Sequence, residues 1–388
     1  MADSDKETHV ISRGLEGIAL CETTIAEVDG QQGRLTIQGY DIRELAGKAT
    51  FEEVAYLLWH GALPTETEYA GLKEEMAAAR TLPAATQSVL KEVSKAASGM
   101  HDLRMAAATL SQDDPDIDNI TVESSRKRAA RLLARMPLLV GTYWRLHSGK
   151  DVPEVRAEAG VAETLLHLFN GEAPDPALVA ALDAYLVAVS EHGMNASTFV
   201  GRSICATNSD MVSALTGAIG ALKGNAHGGV PGPVLEMMES VGTVENTEPW
   251  IRAHLSAGKR VMGFGHRVYK VRDPRAQVLS DAADKLVGAG GDRHLFDLTH
   301  AVEDTTVRVL AEIKPGRDLF ANVELYAALI LHTIGIPSEV FTPVFAVGRT
   351  AGWTAHMVEQ YVNNRLIRPD SVYVGTHGLT WTPRSERK

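Results

Sequence analysis

Apolar residues recur every three to four positions along most of the chain, a period that predicts helices. Over residues 50–61, Phe51, Val54, Ala55, Leu58 and Trp59 share one face. Thr50 and Glu53 form a capping box ahead of that face, and Gly61 suits the helix end. Thr65 and Glu68 repeat the box at the start of the next helix. Further helical patterns cover residues 84–97, 101–110, 175–190, 209–222, 231–242, 249–258, 274–287, 302–313, 322–334 and 343–363. A long pattern over 123–147 contains Pro137, where a kink or break is expected. Strict alternation appears at residues 25–37, around Asp29-Gly30 and Gly33, and predicts one β-hairpin. Residues 111–119 are acidic and turn-rich and read as a surface loop, and the tail after Val374 is polar and expected to fray. No strand–helix alternation, internal repeat or low-complexity linker is visible. The fold class is therefore all-α, with a short N-terminal hairpin.

At 388 residues with 45% hydrophobic content, the chain can bury a large core. Its net charge of −11 argues against nucleic acid as a partner. Arg126, Arg128, Arg131 and Arg135 are spaced as on one or two solvated helix faces. The two cysteines, Cys21 and Cys205, fit no metal-ligand or disulfide pattern, so no metal site is expected and a reducing compartment is. No apolar leader opens the chain, and no run approaches the length needed to span a membrane. Together these features point to a cytoplasmic protein.

The candidate chemistry lies in polar clusters at helix ends. Residues 261–275 hold Gly263, Gly265, His266, Lys270, Arg272 and Arg275. Paired glycines let a backbone approach a ligand closely, His266 can donate to a carbonyl, and Arg275 can grip a carboxylate in a fork. Other clusters surround His192 with Asn195, Ser197 and Thr198; His227 after Asn225-Ala226; Glu324 after Lys314 and Arg317; Arg349 with Trp353; and Arg368. Taken singly, each reads as an ordinary structural residue. Zinc-hydrolase, P-loop, dinucleotide and nucleophile-elbow motifs are all missing from the sequence. What remains is histidines, a carboxylate and arginines, a set suited to acid–base chemistry on a carboxylate-bearing substrate.

These residues also carry a resemblance. Gly263-Phe264-Gly265-His266-Arg267-Val268-Tyr269 with Asp273-Pro274-Arg275 is similar to the signature of the citrate synthase family, which includes 2-methylcitrate synthases. So are Asn195-Ala196-Ser197-Thr198, Leu57-Leu58-Trp59-His60-Gly61, Arg349-Thr350-Ala351-Gly352-Trp353 and Arg365-Leu366-Ile367-Arg368-Pro369. The similarity runs from about Gly14 to Gly375. It implies a large helical domain (residues 1–228 and 336–388), a smaller inserted helical domain (229–335) and a site between them. It implies a homodimer in which Arg368 reaches the partner's site. The substrates implied are oxaloacetate and acetyl-CoA, or propionyl-CoA in a 2-methylcitrate synthase, with no permanently bound cofactor.

By the same resemblance, His192 contacts oxaloacetate, His227 polarises the thioester and His266 polarises the ketone. Arg275, Arg349 and Arg368 hold carboxylates, Glu324 is the base, and Lys270, Arg272, Lys314 and Arg317 are candidates for the coenzyme A phosphates. The sequence departs from the family at Glu324, where Asp is common. It departs again at Asn225-Ala226 before His227, at Val230-Pro231-Gly232-Pro233 after the double glycine, and at Gly193, where Glu is common. A catalytically weak paralogue that binds coenzyme A or dicarboxylates is the remaining alternative.

Overall fold

The computed structural model describes residues 11–387, apart from residues 97, 228–230, 267, 314 and 317–318. The expected hairpin forms from β1 (Ala26–Asp29) and β2 (Arg34–Ile37), in antiparallel register with Asp29 opposite Arg34. A two-residue β3 (Tyr40–Asp41) extends it to three strands. Leu35 and Ile37 alternate inward and are fully buried. The turn between β1 and β2 does more than reverse the chain. Lys270 N–H donates to the Gly30 carbonyl at 2.8 Å, and any Cβ on Gly30 would strike the Val268 backbone. The hairpin thus braces the glycine-histidine loop from outside.

Helices follow: α1 (Ile42–Leu45), α2 (Phe51–His60), α3 (Glu66–Ala78), α4 (Ala84–Val93) and α5 (Gly99–Ala108). Both expected capping boxes are made, with Thr50 and Thr65 N–H groups donating to Glu53 and Glu68 at 2.7 and 2.8 Å. Then come α6 (Val122–His147), α7 (Val161–Asn170), α8 (Pro176–Val189), α9 (Ala196–Cys205) and α10 (Met211–Leu222). The pattern reading did not anticipate α7 or α9. The set ends with α11 (Pro231–Val241), α12 (Thr247–Ser256), α13 (Pro274–Gly288), α14 (Arg293–Ile313), α15 (Val323–Thr333) and α16 (Phe341–Val362). Beyond α16 the chain is extended and exposed, with a single 3-10 turn at Arg384–Glu386.

α16 is the axis of the packing. It is buried nearly all round and touches α2, α5, α6, α8, α9 and α10. Gly348 and Gly352 let α8 and the segment after it lie directly on α16. A Cβ at Gly348 would sit 2.7 Å from Val189, and one at Gly352 would overlap Glu191 and the Ser190 carbonyl. α13 packs on α15 and also on α8, while α11 and α14 pack on α15. No helix among the described residues is long and apolar enough to cross a membrane.

At α6 no break forms at Pro137, and the helix continues through it. Its arginines are also not on solvated faces. Residues 111–119 fold back along the helix, so Arg128 is buried against Asp114 at 2.6 Å and donates to the Asn119 carbonyl at 3.1 Å. Arg131 joins Asp114 at 3.0 Å, and Arg135 pairs with Asp113 at 2.6 Å. Arg126 donates to the Trp59 carbonyl at 2.8 Å. Spacing fixed the direction of these side chains, but not which acidic segment would return to cover them. Breaking a buried ion pair costs about 3–5 kcal/mol, because the remaining charge loses its partner. Asp114→Ala is expected to lower stability by that order, seen as an earlier urea midpoint. A midpoint within error of the parent would show that Arg128 does not depend on Asp114.

Candidate active site

Three helices, α9, α13 and α15, each begin with an N-cap side chain, and the starts of α13 and α15 lie together. Asn195 Oδ1 accepts from Ser197 and Thr198 N–H at 3.2 and 3.1 Å, and Asp273 Oδ1 accepts from Arg275 N–H at 2.9 Å. Asn322 Oδ1 accepts from Glu324 N–H at 3.0 Å, while its Nδ2 donates to the Gly265 carbonyl at 2.9 Å. A backbone clasp completes this link. Gly265 N–H donates to Phe320 O at 2.9 Å, Asn322 N–H to Gly263 O at 2.9 Å and Asp273 N–H to Ala321 O at 3.2 Å. Gly263 and Gly265 take φ of +81° and +86°, which only glycine adopts readily. A Cβ on Gly263 would stand 3.2 Å from Leu325.

Two of the histidines, His266 and His227, are fixed in tautomer as well as position. His266 Nδ1 accepts from Val268 and Tyr269 N–H at 3.0 and 3.1 Å, so its proton resides on Nε2. Burial, then nearby Arg275, pushes its pKa down to about 4. His227 Nε2 accepts from Ser197 N–H at 3.1 Å and lies 2.7 Å from Ser197 Oγ, which places its proton on Nδ1. Its pKa falls through burial and the Arg349 charge. Ser197 Oγ is held in turn by Trp353 Nε1 at 3.0 Å. His192 contacts the Tyr269 hydroxyl at 3.2 Å and meets the His266 ring edge-on at 5.3 Å. Burial, then Arg275 and Arg349, holds it well below the usual histidine range. All three imidazoles are therefore neutral at pH 7.

The other ionisable groups of the cluster are Arg275, Arg349 and Glu324, with Asp273 behind Arg275. Arg275 is clamped by Asp273 through Nε and Nη2 at 3.0 and 2.7 Å, which leaves Nη1 without a partner among the described residues. Arg349 donates from Nε to the Val189 carbonyl at 2.6 Å and stacks over Phe345 at 4.8 Å. Among the described residues its terminal nitrogens have no hydrogen-bond partner. Burial lowers its pKa to about 10, so it stays charged. Glu324 sits in the first turn of α15, and its Oε2 is buried with no hydrogen-bond partner among the described residues. Burial drives its pKa up to about 8. Arg275 and Arg349 oppose that rise and Asp273 adds to it.

The two arginines link the six residues: Arg349 lies within electrostatic reach of His192, His227 and Glu324, and Arg275 of His192, His266 and Glu324. The fold does not bring Arg368 to them. That side chain is exposed on the tail and, among the described residues, meets only Asp370, at 3.5 Å. Lys270 is exposed beside the His266 loop. Arg272 is committed to Glu303 at 2.5 Å and to Gln277, and it stacks on Tyr326. Lys314 and Arg317 lie outside the described residues. A separate cavity of about 560 Å³, lined by Glu52, Arg80 and Asp183, contains none of the six. The roles of Ser197, Tyr269 and Asp273 were not read from sequence. Their signal was the run of cap residues Asn195, Asp273 and Asn322 at helix starts.

The family description "Citrate synthase, C-terminal domain" matches residues 14–370. The chain belongs to the citrate synthase family. It is 40% identical to citrate synthase 2 of Bacillus subtilis, over 97% of this chain and 99% of that protein. It is 35% identical to 2-methylcitrate synthase of Mycobacterium tuberculosis, over 94% and 91%. The citrate synthase of Pyrobaculum aerophilum superposes with a TM-score of 0.89 at 34% identity, covering 97% and 95% of the two chains. The Thermoplasma acidophilum citrate synthase, solved as a ternary complex with carboxymethyl coenzyme A and oxaloacetate, superposes at 0.86 with 28% identity, covering 98% and 100%. The histidine, arginine and carboxylate cluster is thus set in a citrate synthase fold.

Burial of Glu324 has a consequence for stability. Its pKa rises on folding from the ordinary 4.5 to about 8, so the folded state disfavours the ionised form. No penalty exists below pH 4.5, where both states are protonated. It grows as pH rises and is complete above about 8. Glu324→Gln is expected to match the parent near pH 4 and to exceed it by a few kcal/mol, on the order set by 1.36 kcal/mol per pKa unit, above pH 8. Thermal midpoints across pH test this. Parallel curves for the two proteins would contradict it.

Proposed function

We propose that this chain condenses acetyl-CoA with oxaloacetate and hydrolyses the citryl-CoA formed to citrate and coenzyme A. The observation that carries the reading is the joint presence of a buried, unpartnered carboxylate and two neutral imidazoles of opposite tautomer. Glu324 takes a proton from the methyl group beside the thioester. That carbon acid is very weak, so the enolate oxygen must be stabilised as it forms, and the Nδ1–H of His227 supplies the donor. The enol carbon then attacks the ketone of oxaloacetate. The Nε2–H of His266 donates to the oxygen that gains charge in that step. Arg275 and Arg349, with His192, fix the dicarboxylate so that the two carbons meet. Water then cleaves the thioester.

The neutral state of the histidines suits this role. A cationic imidazole would transfer its proton outright, whereas a neutral N–H stabilises charge without giving the proton away. Glu324 fits as the base because a pKa near the working pH balances availability against proton affinity. The Glu side chain is one methylene longer than Asp, and the Asn322 cap sets where it begins.

Other parts of the proposal concern the assembly. The segment 229–335 acts as the smaller body that closes over the site, with the backbone clasp at its edge. Closure excludes water while the enol exists. The chain works as a homodimer in which Arg368 reaches the partner's site, a role supported by its exposure and its single weak contact with Asp370. Lys270 and Arg272, with Lys314 and Arg317, border the coenzyme A phosphates. A cytoplasmic setting agrees with two free thiols.

The 2-methylcitrate synthases among the relatives support a second reading, propionyl-CoA as the preferred donor. One methylene in an apolar pocket discriminates by about 10–200-fold. Initial rates of thiol release with each acyl-CoA and oxaloacetate separate the two. Acetyl-CoA is expected to give the higher kcat/KM, and a preference for propionyl-CoA would assign the second reading. Absence of release with either would contradict condensation altogether and favour a binding role. Glu324→Gln is expected to lose about 10²–10⁴-fold in kcat. A variant retaining near-parental kcat would remove Glu324 as the base.

A further inference from the structure

Four buried polar atoms on residues of or beside the site have no hydrogen-bond partner among the described residues: Oε2 of Glu324, the hydroxyl of Tyr185, Oε2 of Glu191 and Oγ1 of Thr198. The first two lie on helices packed against each other, α15 and α8. Tyr185 lies on α8, is 0% exposed, and stands on a helix packed against α15. Buried orphan polar groups are uncommon in native folds, because each loses its hydration without compensation. A phenylalanine would fill the same space without that cost. These first two are chemically complementary, since a phenol donates and a carboxylate accepts. No hydrogen bond joins them in this structure, yet the Glu324 charge reaches the Tyr185 hydroxyl, where with burial it disfavours loss of the phenol proton. The tyrosine ring is fixed by full burial and has only two side-chain torsions. The glutamate has three, and the methylene that distinguishes it from aspartate gives its carboxylate the longer reach.

Taking Glu324 as the base, we propose that Tyr185 is its positioning residue, donating its hydroxyl to the ionised carboxylate when Glu324 rotates toward α8. The contact would orient the carboxylate and favour its charged form. A donor that bonds only the ionised state lowers the acid's pKa and so offsets part of the burial. Tyr185 touches neither substrate nor reacting atom in this scheme. It acts through Glu324 alone.

The test is Tyr185→Phe, which preserves the ring and its packing. The readout is the pH profile of kcat for acetyl-CoA condensation, with the KM for oxaloacetate measured alongside. Loss of the donor leaves the base harder to ionise. The rising limb is expected to move alkaline by about one unit, with kcat at pH 7 down about tenfold and the two proteins converging at high pH. The KM for oxaloacetate is expected to stay within about twofold, because Arg275 and Arg349 are untouched. Circular dichroism and oxaloacetate binding verify that the variant is folded. A profile that overlays the parent, or one lowered equally at every pH, would overturn the proposal. Glu324→Gln separates the two failures. If it abolishes turnover while the Tyr185→Phe profile is unmoved, only the tyrosine's role falls. If it retains near-parental turnover, the base assignment falls and the tyrosine's role with it.

Discussion

A carboxylate deprived of water sits at the centre of this molecule. Glu324 begins a helix whose dipole and two nearby guanidiniums favour its charge, yet burial outweighs them and its pKa stands near 8. That balance requires Arg275 and Arg349 to be close without closing an ion pair on Glu324. Arg275 is held back by Asp273, whose own charge also pushes the Glu324 pKa up. Arg349 is held back by the Val189 carbonyl and the face of Phe345. Among the described residues, Arg275 therefore keeps one terminal nitrogen and Arg349 both for a ligand while staying charged. Had either paired with Glu324, the carboxylate would be a weak base and the guanidinium unavailable.

The surrounding backbone exists to hold that geometry. Left-handed glycines at 263 and 265 let the histidine loop lie against residues 320–322, and the clasp joins the starts of α13 and α15. The N-terminal hairpin supports the loop from behind through Gly30 and Lys270. On the far side, α16 presents Arg349 and Trp353 and accepts α8 closely at Gly348 and Gly352. Burial and fixed donors also decide the chemistry of the histidines. Backbone N–H groups occupy Nδ1 of His266 and Nε2 of His227, so the two rings offer opposite nitrogens to the site. Side chains from six separate segments are thus linked through Arg275 and Arg349.

Much of this was legible in the chain. Periodicity located most helices, and both capping boxes appear as read, because caps and amphipathic faces are local properties. α9 escaped because its polar opening, Asn195 to Thr198, reads as a site cluster rather than a helix start. The buried arginines of α6 escaped for a different reason. Their partners, Asp113 and Asp114, return from a segment that looks like a surface loop, and no local signal shows where a loop folds. At the site the residue types were readable, and a resemblance supplied roles. The tautomers, the free nitrogens of Arg349 and the unpartnered Tyr185 hydroxyl depend on tertiary contacts, which no spacing encodes.

Burial, rather than ion pairing, sets the proton affinity of Glu324. A ¹³C NMR titration of protein labelled at the glutamate side-chain carboxylates, with the Glu324 resonance assigned by its loss in Glu324→Gln, measures this directly. A midpoint near pH 8 is expected in the ligand-free protein. A midpoint at the ordinary 4.5 would mean that the arginines neutralise the burial, and that the carboxylate is not the poised base described here.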